Sequence, residues 1–147
     1  MTRTSMVSAT QLRRCTELDY LLLGDLREML EEPLTTQTRK WMLSVLDVLL
    51  DNLPQEHRLK SVDGYLGEVL QEFPNWQGRV DRLESQHYEL YDRLSDLRDD
   101  LEVDALESSV AQALRYGLHE WMEALVAHRL QETDLLQSAV NTDLGGG

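Results

Sequence analysis

Five side chains with metal-ligating chemistry recur at helical intervals along this chain: Asp19, Glu56, His87, His128 and Glu132. His128 and Glu132 are four residues apart, which puts both on one face of a helix, and Glu56 and Lys60 share that spacing. Imidazole and carboxylate together suit non-haem iron, zinc or manganese. Helical bundles build metal sites from such groups on their inner faces. Burying them without a metal or a partner would be costly. A plainer reading stands beside this one. A single Asp or His on a helix stripe usually sits at its edge and reaches water, and with 28% of the residues charged such placements arise by chance.

The elements that must position these groups are helices. Leucine dominates the apolar set, isoleucine is absent and Phe73 is the only phenylalanine. Leu, Glu and Arg favour helix, and β-branched residues are sparse. A first helix is expected from about Thr10 to Glu32, with Leu12, Cys15, Leu22, Leu26 and Met29 as its buried stripe and Pro33 as its stop. A second starts near Thr36 or Gln37 and carries Met42, Leu46, Leu49 and Leu53. Pro54 inside that pattern should kink or split it, at a cost of about 3 kcal/mol. A third runs from Asn75, a plausible N-cap, to Leu101 through Val80, Leu83, Leu90, Leu94 and Leu97. A fourth runs from Asp104 to Thr142 with Leu114, Leu118, Trp121, Leu125, Leu135, Leu136 and Ala139 inward, and Gly145–Gly147 ends it. Short connections between long helices predict antiparallel neighbours in one four-helix domain over residues 1–147.

A weak internal repeat brings the polar positions together. At an offset of 68 residues Leu12, Cys15, Leu22, Leu26 and Met29 match Val80, Leu83, Leu90, Leu94 and Leu97, and the polar interruption is Asp19 against His87. At an offset of 72, Leu46, Leu49 and Leu53 match Leu118, Trp121 and Leu125. The interruptions are then Glu56 with Lys60 against His128 with Glu132.

Charge and composition exclude other classes. Fourteen Lys and Arg stand against 27 Asp and Glu, a formal net charge of -13. That balance disfavours a nucleic-acid backbone and an anionic membrane surface. Met1–Thr10 lacks the apolar run of a signal peptide, and no stretch approaches the roughly 18 apolar residues of a membrane span. The lone Cys15 cannot form an internal disulfide, which fits a reducing, cytoplasmic setting. It reads as a small core residue one turn before Asp19. His119 has Glu120 and Glu123 for neighbours and reads as solvated, while His57 is ambiguous beside Pro54. Trp41, Trp76 and Trp121 read as packing and end-sealing aromatics. Tyr20 and Tyr88 follow Asp19 and His87 directly and should point away from the seam; Tyr91 is placed to reach it or to serve in the core. The acidic run Asp96, Asp99, Asp100, Glu102 and Asp104 reads as a solvated turn, since the spacing and glycine of an EF-hand are missing. No phosphate loop or nucleophile elbow is present.

At these residues the chain resembles the bacterial hemerythrin-like (HHE cation-binding) family. The stretches that carry the resemblance are His128-Arg-Leu-Gln-Glu132, Leu135-Leu136-Gln137 and Asp143-Leu144-Gly145-Gly146-Gly147. Gly64-Tyr65-Leu66, Val69-Leu70, Pro74, Leu83, Gln86-His87 and Leu90 add to them. The likeness is weak in the first helix and good from Gly64 onward. It implies an all-α, up-down-up-down antiparallel four-helix bundle holding a pair of non-haem irons; for this chain one or two ions, or none, are expected. The family pattern is one His from helix 1, His-x-x-x-Glu from helix 2, one His from helix 3 and His-x-x-x-Glu from helix 4. His87, His128 and Glu132 match it. The helix 1 His falls on Asp19 and the helix 2 His on Glu56, both carboxylates able to ligate, with His57 one residue on. The helix 2 Glu falls on Lys60, or on Ser61 if the register follows His57.

Lys60 departs from the pattern in kind. An ammonium offers donors and no lone pair, and it repels a dication. It could instead serve as an internal counter-ion to Asp19, Glu56 or Glu132 in a metal-free centre. Three functions therefore follow. The resemblance implies a non-catalytic cation-binding or sensing domain for iron, dioxygen or nitric oxide, its metal site altered or lost. A metal-free helical module that binds a protein partner is the second. A carboxylate-rich iron oxidase or peroxidase-like enzyme is the third.

Overall fold

Apolar residues at three- and four-residue spacing wind into helices, and the described residues contain no strand. The computed structural model describes residues 3–61, 64–103 and 108–145. The helices are α1 (Arg3–Glu31), α2 (Thr36–Ser61), α3 (Tyr65–Glu72), α4 (Gln77–Glu102) and α5 (Ser108–Gly145). A 3-10 turn at Pro74–Trp76 leads into α4.

The four long helices share one core. Leu23, Leu26, Met29 and Leu30 of α1 meet Met42, Leu46, Leu49 and Leu53 of α2, Leu90, Leu94 and Leu101 of α4, and Leu114, Leu118, Trp121, Met122 and Leu125 of α5. Each fully buried leucine contributes about 1.5–3 kcal/mol relative to exposure. Trp121 is wholly buried, and its indole Nε1 donates to the Leu90 carbonyl at 2.8 Å, so its one polar atom is satisfied. A second, smaller cluster joins Leu66 of α3, Val80 and Leu83 of α4 and Leu135 of α5. The connections are fastened by side chains. The Thr35 hydroxyl accepts from the Thr38 amide at 3.1 Å and caps α2. Arg115 donates to the Glu32 carbonyl, Arg39 to the Val103 carbonyl, and Arg98 to Asp47.

Several expectations are corrected. α2 is continuous through Pro54, whose ring lies on the exposed side, where solvent can reach the carbonyl it leaves without a donor. The break falls after Ser61 instead. A Cβ on Gly64 would lie 2.1 Å from the Leu59 carbonyl oxygen and 2.6 Å from that of Lys60, so the chain turns over the end of α2 more closely than any side chain allows. Asn75 sits inside the 3-10 turn, and the residue capping α4 is Trp76, with no side-chain hydrogen bond. Leu136 and Trp41 are exposed rather than packed. The expected start of the last helix at Asp104 and Glu107, and the glycines 146–147, lie outside the described residues.

Candidate functional site

Each long helix interrupts its apolar stripe at the same level, and the interruptions form a polar layer between the two apolar clusters. Asp19 comes from α1, Asn52, Glu56, His57 and Lys60 from α2, His87 from α4, and His128, Arg129 and Glu132 from α5. Asp19 is fully buried, and Glu56, His87, His128 and Glu132 are buried too. All five residues singled out by type and spacing therefore face the interior.

Lys60 stands at the centre of the layer. Its Nζ lies 2.9 Å from Glu56 Oε1. It donates to both carboxylate oxygens of Glu132, at 2.9 and 3.2 Å. Arg129 is the second cation: its Nη2 donates to Asp19 Oδ2 at 2.5 Å and reaches Glu56 Oε2 at 3.4 Å. Asn52 Nδ2 donates to Asp19 Oδ1 at 2.6 Å and to the Cys15 carbonyl at 2.9 Å, tying α2 to α1.

Asp19 and Glu56 shift each other's ionisation in opposite directions. Burial, then the hydrogen bond and charge of Glu56, push Asp19 up to about 7, against the opposing pull of Asn52 and Arg129. Burial also works to raise Glu56, but the hydrogen bond from Asp19 and the charges of Lys60 and Arg129 outweigh it and hold this carboxyl below the usual range.

The imidazoles lie on the other side of Lys60. His57 and His87 stack with ring centroids 4.1 Å apart and planes 8° from parallel. His87 is pushed down to about 4, by burial first and then by the neighbouring His57 and His128. His57 and His128 move in the same direction, again chiefly through burial. His128 Nδ1 donates to Gln86 Oε1 at 2.9 Å, which turns Nε2 toward Glu132, 3.8 Å from Oε1. His57 Nε2 is buried without a hydrogen-bond partner. Glu56, His57, Lys60, His87, His128 and Glu132 border a cavity of about 20 Å³, the space of one water and too little for an organic substrate. Burial, together with the nearby Glu132 and Glu56, raises the Tyr65 phenol. The Cys15 thiol is raised by burial and by Glu56 and Asp19.

Arg129, Asn52, Gln86 and Tyr65 were not foreseen in these roles. Asn52 was within reach, because 52, 56 and 60 form one i, i+4 row. Tyr91 is half-buried, and His119 is exposed. Tyr20 and Tyr88 are exposed, although Tyr88 meets His57 and His87 edge-on. Among the described residues no three His, Cys, Asp or Glu side chains are grouped as a metal ion requires. No described helix is long and apolar enough to cross a membrane. No family model, no curated protein and no solved structure matches this chain.

Proposed function

We propose that this chain is a hemerythrin-like, up-down-up-down bundle in which an internal lysine has taken the place of the cation. It would then act as a non-catalytic binding module through its exterior, without iron, dioxygen or nitric oxide chemistry. The observation that carries this reading is the position of Lys60 Nζ, 2.9 Å from a carboxylate oxygen of both Glu56 and Glu132. Those are two of the groups a metal would need. A dication placed among them would have to displace the ammonium or sit beside it, and two like charges at that range repel strongly in a buried site. The residues present therefore do not fit a pair of irons.

Interhelix contacts support the antiparallel arrangement. Glu32 at the end of α1 meets Arg115 near the start of α5, whereas Asp19 meets Arg129 further along α5. Asn52 meets Cys15, and Arg98 meets Asp47. A cavity with room for one water leaves no space for an organic substrate at the polar layer.

The test is iron loading of the Lys60→Glu variant beside the unaltered protein. Under this reading the unaltered chain takes up no iron from an anaerobic ferrous solution, and exchanging the ammonium for a carboxylate opens the centre to it. Iron uptake by the unaltered chain, lost in His128→Ala, would overturn the reading in favour of an altered metal site.

A further inference from the structure

The exposed side of α1 carries a second stripe, two leucines flanked by polar and charged residues, that the fold does not use. Gln11, Arg14, Leu18, Leu21, Asp25 and Glu28 succeed one another at alternating three- and four-residue steps, the spacing of a coiled-coil seam, and all six are exposed. Leu21 keeps 63% of its surface in solvent and Leu18 38%. The neighbouring helix continues the patch. Trp41, Val45, Val48 and Asn52 form one row on α2, and Asn52 bonds to α1, so this row borders α1. Trp41 is 54% exposed and Val48 40%. Arg14, Asp25 and Glu28 make no ion pair among the described residues.

We infer that this α1–α2 face is the contact between two copies of the chain, with the α1 helices antiparallel about a two-fold axis. The order of charges along the stripe identifies the occupant. It runs basic, apolar, acidic, and it is therefore complementary to itself when reversed. Leu18 of one copy packs on Leu21 of the other, Arg14 meets Asp25, and Gln11 meets Glu28, each contact occurring twice. Parallel pairing would set Arg14 against Arg14 and Asp25 against Asp25. Trp41 at the flank supplies the kind of aromatic anchor that dominates interface energies. The net charge of -13 opposes self-contact in general. The centre of this face carries no charge: from Leu18 to Leu21 α1 exposes only Leu18, Tyr20 and Leu21, and the α2 row is uncharged. Apart from Asn52, which only fixes where the α2 row lies, these residues are outside the polar layer, and the contact stands whether or not that layer binds metal.

Sedimentation equilibrium of the full chain tests it, with circular dichroism confirming that each variant keeps its helices. The unaltered protein is expected to dimerise within the range up to about 100 µM, and Leu21→Asp to weaken that association at least about tenfold. Arg14→Glu and Asp25→Arg each place like charges together twice, so each alone should weaken it at least about tenfold. Mixed in equal amounts, these two variants form only opposite-charge pairs and should recover nearly all of the lost affinity. A monomer throughout that range, or a mixture no tighter than the separate variants, would overturn the inference. In the first case the face is left to another partner.

Discussion

Replacing Lys60 with methionine removes the ammonium while keeping most of its volume. The side chains of Lys60, Glu56 and Glu132 retain only 12%, 4% and 5% of their surface in solvent, so neither carboxylate can be fully hydrated. Three contacts of 2.9, 2.9 and 3.2 Å are lost together. Removing one member of a buried, hydrogen-bonded ion pair costs about 3–5 kcal/mol, because the charge left behind is uncompensated. Arg129 still reaches Glu56, so most of the penalty falls on Glu132. At roughly 2–4 °C per kcal/mol for a chain of this length, the melting temperature should fall on the order of 10 °C. Urea unfolding followed by far-ultraviolet circular dichroism at neutral pH measures the loss. The double variant Lys60→Met with Glu132→Gln should recover part of it, since the stranded charge is gone. A loss below about 1 kcal/mol in the single variant would refute the reasoning, because exposed pairs behave that way.

Asp19 gives a pH signature. Its folded-state value is raised, so its stabilisation is complete below the unfolded carboxylate range and is lost as pH climbs through about 7. Asp19→Asn imitates the protonated form, and its stability relative to the unaltered protein should rise between mildly acid and mildly alkaline pH; denaturant midpoints showing a constant difference would contradict the raised value of Asp19. His87 has the opposite sense. Its depressed value means that stability is lost as pH falls from 6.5 towards 4, and His87→Gln should flatten that part of the curve. Gly64→Ala forces a methyl against the last carbonyls of α2 and should cost about 2 kcal/mol in chemical denaturation; a neutral result would mean that the turn is looser than described.

The polar layer was legible because helical periodicity reports direction. Asp19, Glu56, His87, His128 and Glu132 fall on leucine stripes, and a stripe position in an amphipathic helix points inward whatever its chemistry. What periodicity cannot report is how far a long side chain reaches. Arg129 lies one residue past His128, off the centre of the stripe. Its inward turn onto Asp19 depends on where α1 runs, which no local pattern contains. The same holds for Lys60: Asp19, Glu56 and Glu132 could all be read as its partners, but not that Glu56 and Glu132 are the two it meets. Pro54 misled because its local cost is real. It is outweighed by Leu53, Glu56 and Leu59, which α2 buries on either side of it. The turn at Gly64 is set by the approach of α3 to α2, a tertiary constraint.

If Lys60 serves as the cation of this bundle, the chain carries no metal. Metal content per chain decides it, measured by mass spectrometry on protein expressed in iron-supplemented medium and purified without a metal-affinity step. Less than about 0.1 equivalent of any transition metal is expected, with a melting temperature unmoved by chelator. One or two equivalents of iron, with a melting temperature that falls on chelation, would contradict it.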